Sequence, residues 1–462
     1  LSDKKFVTET VPFYIQGEGT KAVDISSLFN HNSPTATHRR MVVDYTDNPA
    51  WNVVLALHGV MTPKDDCAID WAASLYVNKV AQHLASRMPK LQTLIRQWEN
   101  ETGSETTMTS ELAKNQELKD ILLQEAPWML EAQDETEQRH KIAELFNQNL
   151  MDSRIKKAVD KLKNLQLYNG GWTWFKGMKP SYYTTFAVCD MLSMLQDYYR
   201  GVGETPDATI EKMLQEGLGY LDEEELKDYE KYYRKEKKLL PSESSLHYMY
   251  MCSISQHKAK KSTETMINDY LNRISGKVTR LTMYGRANCA VTLQAYQRSK
   301  EALAFVRSLR EYIVEKPGMG RYFDTEQAQY SWYDYKLPTH IATMRAMMST
   351  RKEFNDADAY LNDMQIWLLR QKESQKWNSL INTIKAVDIL LSLSPDTTFH
   401  EPVKPTVVVG GAELPITNQT AGIGYSKEPV PETMVAEVMR DKRPTVTVTK
   451  HSPGISWGCV YG

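Results

Sequence analysis

Residues 166–175 read Gln-Leu-Tyr-Asn-Gly-Gly-Trp-Thr-Trp-Phe, and Ser181-Tyr182-Tyr183-Thr184-Thr185-Phe186 follow shortly after. A helix stops at the Gly170–Gly171 pair, because glycine takes the left-handed backbone of a helix C-terminus without steric cost. Trp172 and Trp174 are expected to pack across the turn, and Ser181 to cap the next helix with its hydroxyl. A weaker copy of the pattern comes later, with Gln371, then Trp377, Asn378 and Ser379, and Thr383 opening another helix. Both stretches read as structural staples between consecutive helices, since aromatic rings in such turns mostly pack, with substrate contact by Trp172 or Trp174 as the lesser alternative.

Working outward, residues 61–396 carry apolar side chains at three- and four-residue spacing almost throughout. Trp71 to Leu84 shows the pattern, as do Tyr183, Phe186, Ala187, Met191 and Met194, and later Ile341, Met344, Met347 and Met348. Short breaks at Pro89, Gly170-Gly171, Gly201 to Pro206, Pro241 and Pro338 imply antiparallel helical hairpins. About a dozen such helices suffice for a closed α/α toroid or an open solenoid. The spacing of Gln166, Gly170 and Trp172 recurs in toroids, where it pins the turn from an outer to an inner helix. The acidic then basic stretch from Gly217 to Lys238 reads as a solvated helix face.

The two ends differ. Phe6 to Val11 and Arg40 to Thr46 favour strands, and so do Thr406 to Val409 and Thr445 to Thr449. Pro402, Pro405, Gly410-Gly411, Pro429 and Pro431 punctuate the tail with turns. Neither end is long enough to bury a good core alone. Residues 1–60 and 397–462 are therefore expected to pair as one discontinuous β domain around the helical insert.

Composition bounds the function. The chain has 462 residues, 41% hydrophobic and 25% charged, as in an ordinary folded protein. Its 56 basic and 58 acidic residues leave a formal net charge of −2. Such a balance supplies no electrostatic reason to expect nucleic acid or an anionic membrane as partner. No run approaches the roughly eighteen apolar residues of a spanning helix. The five cysteines, Cys67, Cys189, Cys252, Cys289 and Cys459, lie too far apart for a metal knuckle or a recognisable disulfide framework. A start at Leu1 and an end inside a strand-like run at Gly462 lead us to expect a piece of a longer chain.

Candidate chemistry is sparse. A proton-delivering cyclase needs an Asp-x-Asp-Asp cluster, and none is present; Asp65-Asp66 with Asp70 lacks the spacing that holds diphosphate through magnesium. A zinc prenyltransferase needs Asp, Cys and His on one metal. His247 and Cys252 share one expected helix, but no third ligand suggests itself. No nucleophile–base arrangement stands out. Tyr330, Trp332, Tyr333, Asp334, Tyr335, Lys336 and His340 form an aromatic cluster suited either to a cleft or to a loop folded over the bundle. No cofactor and no metal site is expected.

The order of these features resembles the bacterial branch of the alpha-2-macroglobulin family. Arg40 to Thr46 leads into Asn48-Pro49-Ala50-Trp51 and the apolar Val53 to Val60, and a helix holding Cys67 follows. Then come the Gly-Gly-Trp-x-Trp-Phe turn, Trp367-Leu368-Leu369 before Gln371, and Ser452-Pro453-Gly454-Ile455-Ser456-Trp457-Gly458 near the end. The resemblance implies a mainly α fold, a thioester-type α/α toroid inserted into a small CUB-like β-sandwich. The family's reactive form carries Cys-x-Glu-Gln, whose thiol and Gln carbonyl close an internal thioester with loss of ammonia. Here the matching residues are Cys67-Ala68-Ile69-Asp70, so the amide is missing and covalent capture is not expected.

What the resemblance then implies is a non-enzymatic part of an envelope protein, periplasmic or surface-exposed, that traps proteases by conformational collapse. Two other readings stand beside it: a toroid enzyme or binding module for a lipid or glycan, and an envelope scaffold. An acidic pair facing a deep aromatic cavity would favour the enzyme. A toroid centre plugged by apolar side chains would favour the trap or the scaffold. Asn418-Gln419-Thr420 matches a glycosylation sequon, to which the bacterial origin implied by the resemblance gives no weight.

Overall fold

The computed structural model describes residues 10–29, 40–47, 57–87, 140, 143–316, 319–324, 336–374, 379–393, 403–417, 419–420, 425–440 and 444–462. The chain opens with strands β1 (Thr10–Gln16), β2 (Gly19–Asp24) and β3 (Met41–Thr46). Helices α1 (Ala68–Arg87), α2 (Gln148–Leu165), α3 (Tyr182–Gly201), α4 (Ala208–Asp228), α5 (Glu243–Ile254), α6 (Lys261–Ile274), α7 (Met283–Ala295) and α8 (Ser299–Arg310) follow. A hairpin, β4 (Ile313–Lys316) and β5 (Gly320–Phe323), precedes α9 (Lys336–Ser349), α10 (Ala357–Ser374) and α11 (Leu380–Leu393). The tail holds β6 (Thr406–Val409), β7 (Ala412–Leu414), β8 (Gln419–Thr420), β9 (Tyr425–Val430), α12 (Glu432–Val438), β10 (Thr445–Lys450) and β11 (Ile455–Tyr461). Two compact units result, one from Leu1–Val53, Lys316–Gly318 and Ser394–Gly462, the other from Val54–Glu315 and Met319–Leu393.

In the β unit two antiparallel sheets run β1-β11-β3-β9-β8 and β2-β10-β6-β7. The C-terminal strand β11 lies between the N-terminal strands β1 and β3, so each end of the chain completes the other's sheet. Strand alternation decides what faces inward. In β10 Val446 and Val448 are buried while Thr445, Thr447 and Thr449 are half-buried, and Val446 sits opposite Val23 and Val409. Both sheets contribute to one apolar cluster with Phe13, Val43, Tyr45, Val407, Val448 and Val460 among its members. Gly458 is required in β11, because a Cβ there would stand 2.2 Å from the Asp44 carbonyl and 2.6 Å from the Phe13 ring.

In the helical unit, each odd-numbered helix packs against the next odd-numbered helix, and α11 returns to α1 and α3. The even-numbered α2, α4, α8 and α10 pack against α1, α3, α7 and α9 respectively. Burial separates most of the two sets. Of the even helices, α2, α4, α6 and α8 each bury one stripe, such as Ala302, Phe305, Val306 and Leu309 of α8, at the spacing of a single helical face, whereas α10 is buried on every side from Asp363 to Leu368. Odd helices are buried around most of their circumference, as α3 is from Thr184 to Gln196.

Three details depart from the sequence reading. The middle is not helical almost throughout: Ile313–Lys316 and Gly320–Phe323 pair as a hairpin. Gly320 has φ +73°, and a Cβ on it would lie 2.1 Å from the Asp363 carbonyl, so this close approach needs glycine. The tail is not β structure alone, since Pro431 opens α12, whose Val438 joins the β core. The acidic stretch of α4 is not wholly solvated either. Asp222 and Glu225 turn inward, where Asp222 meets Tyr248 and His257 Nε2 (2.9 Å), and Glu225 accepts from Tyr182 and from Ser245 Oγ (2.8 Å).

Candidate functional site

Cys67 does not lie within the first helix; it immediately precedes α1. It is 4% exposed, and its Sγ donates to Asp70 Oδ1 at 3.4 Å. The other carboxylate oxygen of Asp70 accepts the backbone N–H groups of Lys64 (3.1 Å) and Asp65 (3.0 Å). Asp70 thus folds the entering loop onto the first turn of α1, where its negative charge also faces the positive end of the helix dipole. Beside it, Asp66 Oδ1 accepts from Trp71 Nε1 at 2.7 Å, and Lys161 of α2 closes on Asp66 at 2.8 Å. The hydrogen bonds from Lys161 and Trp71 hold the Asp66 carboxyl below its ordinary value.

The chemistry available to Cys67 follows. Burial pushes its thiol up, so it is protonated at neutral pH and a poor nucleophile. A thioester between these two side chains would form by expelling ammonia from an amide; Asp70 offers a carboxylate engaged by two N–H donors. The pair is a hydrogen-bonded cap. All five cysteines are free.

The glycine–tryptophan turn adjoins this site. Ala68 N donates to the Trp174 carbonyl at 3.1 Å, tying the start of α1 to the turn. Gln166 Nε2 reaches the carbonyls of Gly170 (3.0 Å) and Met213 (2.9 Å), which anchors the turn to α4. Gly170 has φ +86°, and a Cβ on it would stand 2.0 Å from the Glu216 carbonyl. A Cβ on Gly171 would meet Pro180 and Tyr220 at 2.8 Å. Trp172 is fully buried, with its Nε1 donating to the Leu162 carbonyl at 3.0 Å, and Gly217 leaves room for its ring.

Trp174 departs from expectation. It does not pack inside the turn but is 40% exposed, stacked on Phe175 and Tyr183 at centroid distances of 6.5 and 5.8 Å. In the later copy, Ser379 Oγ accepts from Asn382 N at 3.1 Å at the start of α11, and Gln371 lies in α10. Trp377 and Asn378 are outside the described residues, as are Tyr330, Trp332, Tyr333, Tyr335 and Asn418.

Residues of which the sequence singled out only His247 form a buried polar cluster between the odd-numbered helices. Asp190 of α3 binds His247 Nε2 of α5 at 2.6 Å and Lys385 Nζ of α11 at 3.0 Å. Asp388 of α11 takes Arg345 of α9 at 2.8 Å and the Tyr76 hydroxyl of α1 at 3.0 Å. Arg345 also reaches the Tyr250 hydroxyl at 3.4 Å. Burial alone would raise Asp190, but His247 and Lys385 together hold it well below the usual carboxylate range. Burial keeps Asp388 above that range, and Arg345 only partly offsets it. This interior is neither an apolar plug nor a free acidic pair; the acids are matched by cations. His247 and Cys252 share α5 without a third ligand, and no group of metal-ligating side chains occurs among the described residues. The helical period would have shown that Asp190, His247, Arg345 and Lys385 lie in otherwise buried helices, which is the one sequence signal for the cluster.

Neither a protein-family model nor a curated protein matches the sequence. Solved structures do. The crystal structure of native alpha-2-macroglobulin from Escherichia coli, spanning domain MG7 to the C-terminus, is similar at TM-score 0.44 and 12% identity. That likeness covers 98% of this chain and 57% of that one. Salmonella alpha-2-macroglobulin reacted with methylamine is similar at TM-score 0.43 and 10% identity, over 98% of this chain and 23% of that one. E. coli alpha-2-macroglobulin activated by porcine elastase gives TM-score 0.44 and 11% identity, over 98% and 32%. The chain therefore spans little more than half the length of the first of these structures and less of the others. No helix among the described residues is long and apolar enough to cross a membrane.

Proposed function

We propose that this chain is the C-terminal part of a bacterial alpha-2-macroglobulin-like envelope protein that hinders proteases without covalent capture. In this reading the helical unit is an α/α toroid with the odd-numbered helices inside and the even-numbered ones outside. The β unit is its CUB-like companion, and the chain is not an enzyme. The observation that carries the reading is the pairing at the start of α1. Cys67 Sγ meets Asp70 Oδ1 at 3.4 Å, the two positions whose side chains are joined in the reactive family, here linked only by a hydrogen bond. The backbone donors on Asp70 and the buried, protonated thiol support a loss of the acylating chemistry with the local fold retained. Proteases are the partners of this reading, met through the parent protein.

The rival, a lipid- or glycan-handling enzyme, calls for acids free to protonate a ligand. Asp190 is saturated by His247 and Lys385, and Asp388 by Arg345 and Tyr76, which favours the trap or scaffold. The test uses the parent chain mixed with a broad-specificity protease, assayed on a large protein substrate and on a small peptide. Protection of the large substrate with the peptide still cleaved is the expected outcome. Full cleavage of both would overturn the trap.

A further inference from the structure

Asp190 holds two donors at once, His247 from α5 and Lys385 from α11, with side chains 6%, 13% and 18% exposed respectively. Because Asp190 is ionised, it accepts, and this fixes the imidazole tautomer: Nε2 carries the proton and Nδ1 the lone pair. Nδ1 has no protein partner among the described residues. The ring is flanked by Phe186 and Tyr250, centroids 5.6 and 5.9 Å away. Burial holds His247 below its usual value against the pull of Asp190, with Lys385 and Arg345 adding to the push, so it is neutral at neutral pH.

The surrounding charged and titratable groups are Tyr76 of α1, Asp190 and Asp197 of α3, Tyr250 of α5, Tyr284 of α7, Arg345 of α9, and Lys385 and Asp388 of α11. With His247 neutral, Lys385 is the cation bonded to Asp190, with Arg345 acting on it from farther off. A proton arriving at Nδ1 creates an imidazolium that competes with the Lys385 ammonium for one carboxylate and repels it across a low-dielectric interior. Lys385 is the more exposed of the two, on a flexible stem, and so is the partner that leaves.

We propose that His247 is a proton-operated latch on the junction of α3 and α11: protonation displaces Lys385 from Asp190 and loosens α11 while the remaining helices stay packed. The direction follows from the charges: the latch holds while His247 is neutral, and the opened form, whose imidazole regains the ordinary value of about 6.5, takes up the proton first, so the junction weakens progressively as pH falls below about 6.5. The device is independent of whether the parent protein traps proteases.

Hydrogen exchange of the whole 462-residue chain at about pH 7 and about pH 5, corrected for intrinsic chemical rates, tests this. In the wild type, amides of 380–393 should lose about tenfold in protection at the lower pH, the effect of one unit of proton coupling. Amides of 299–310 in α8 should not change. His247→Gln keeps a donor for Asp190 but cannot charge, and Lys385→Met removes the displaced cation; each should abolish the step. The latch is overturned if the wild type shows no step, if either variant keeps it, or if α8 loses protection to the same extent.

Discussion

Asp47 is the residue on which the β unit's assembly should depend most. It is fully buried and follows β3, yet its partners come from both ends of the chain. Oδ2 accepts Val403 N at 2.9 Å. Oδ1 accepts the Tyr45 hydroxyl at 3.1 Å, Lys450 Nζ at 3.4 Å, Ser456 Oγ at 3.3 Å and the Ser452 hydroxyl. Lys450 is equally buried, and burial presses its ammonium below the ordinary lysine value. Asp47→Ala strands this cation, and removing one partner of a buried pair costs about 4 kcal/mol. Lys450→Met should cost only about 2 kcal/mol, because Asp47 keeps its hydroxyl and amide donors. In the double variant no buried cation is left to strand, so its loss should not exceed the about 4 kcal/mol of Asp47→Ala alone, a coupling of at least about 2 kcal/mol against the sum. Hydrogen exchange of β10 and β11 reads the local stability, and about 4 kcal/mol corresponds to about a thousandfold faster exchange. Additive losses of about 6 kcal/mol would refute the reasoning, since they would mean the two side chains contribute separately.

Methylamine, which opens thioesters, should leave the intact mass of the chain unchanged, because Cys67 and Asp70 share only a hydrogen bond; an added amine would refute that assignment. Gly170→Ala should destabilise the helical unit by about 3 kcal/mol in urea unfolding, combining a left-handed backbone with a clash against the Glu216 carbonyl. A loss under about 1 kcal/mol would mean that the turn yields easily. His340 is fully buried, donates Nε2–H to the Met364 carbonyl at 2.9 Å, and is pushed down by burial to about 4. The unfolded chain takes up this proton first as pH falls. Stability is therefore lost from about pH 6.5 down to about pH 4, by up to about 3 kcal/mol. His340→Phe should flatten that part of the pH dependence, and an unchanged slope would exclude His340 as its source.

The Thr-Val alternation of β10 and the single apolar stripes of α6 and α8 are periodicities, and a period is visible in the sequence because it repeats along the chain. The Gly170–Gly171 turn was legible for a related reason, since its chemistry is local. The hairpin of Ile313–Lys316 and Gly320–Phe323 was missed because each strand is too short for a period to show. The outward ring of Trp174 was missed because composition alone does not say which of two tryptophans a turn can bury. Asp222 and Glu225 read as solvent-facing in an acidic run, yet partners on α3 and α5 and His257 beyond α5 take them inside.

By itself, the sequence determined the long helices and the alternating strands, the Gly170–Gly171 turn, and that position 70 offers a carboxylate in place of an amide. These are properties of short stretches and single side chains. Only the tertiary structure decided that Asp190 is shared between His247 and Lys385, and that Asp47 gathers Tyr45, Val403, Lys450, Ser452 and Ser456. A buried charge is stable only when its partners arrive from elements far apart in the chain, and no local pattern encodes their meeting.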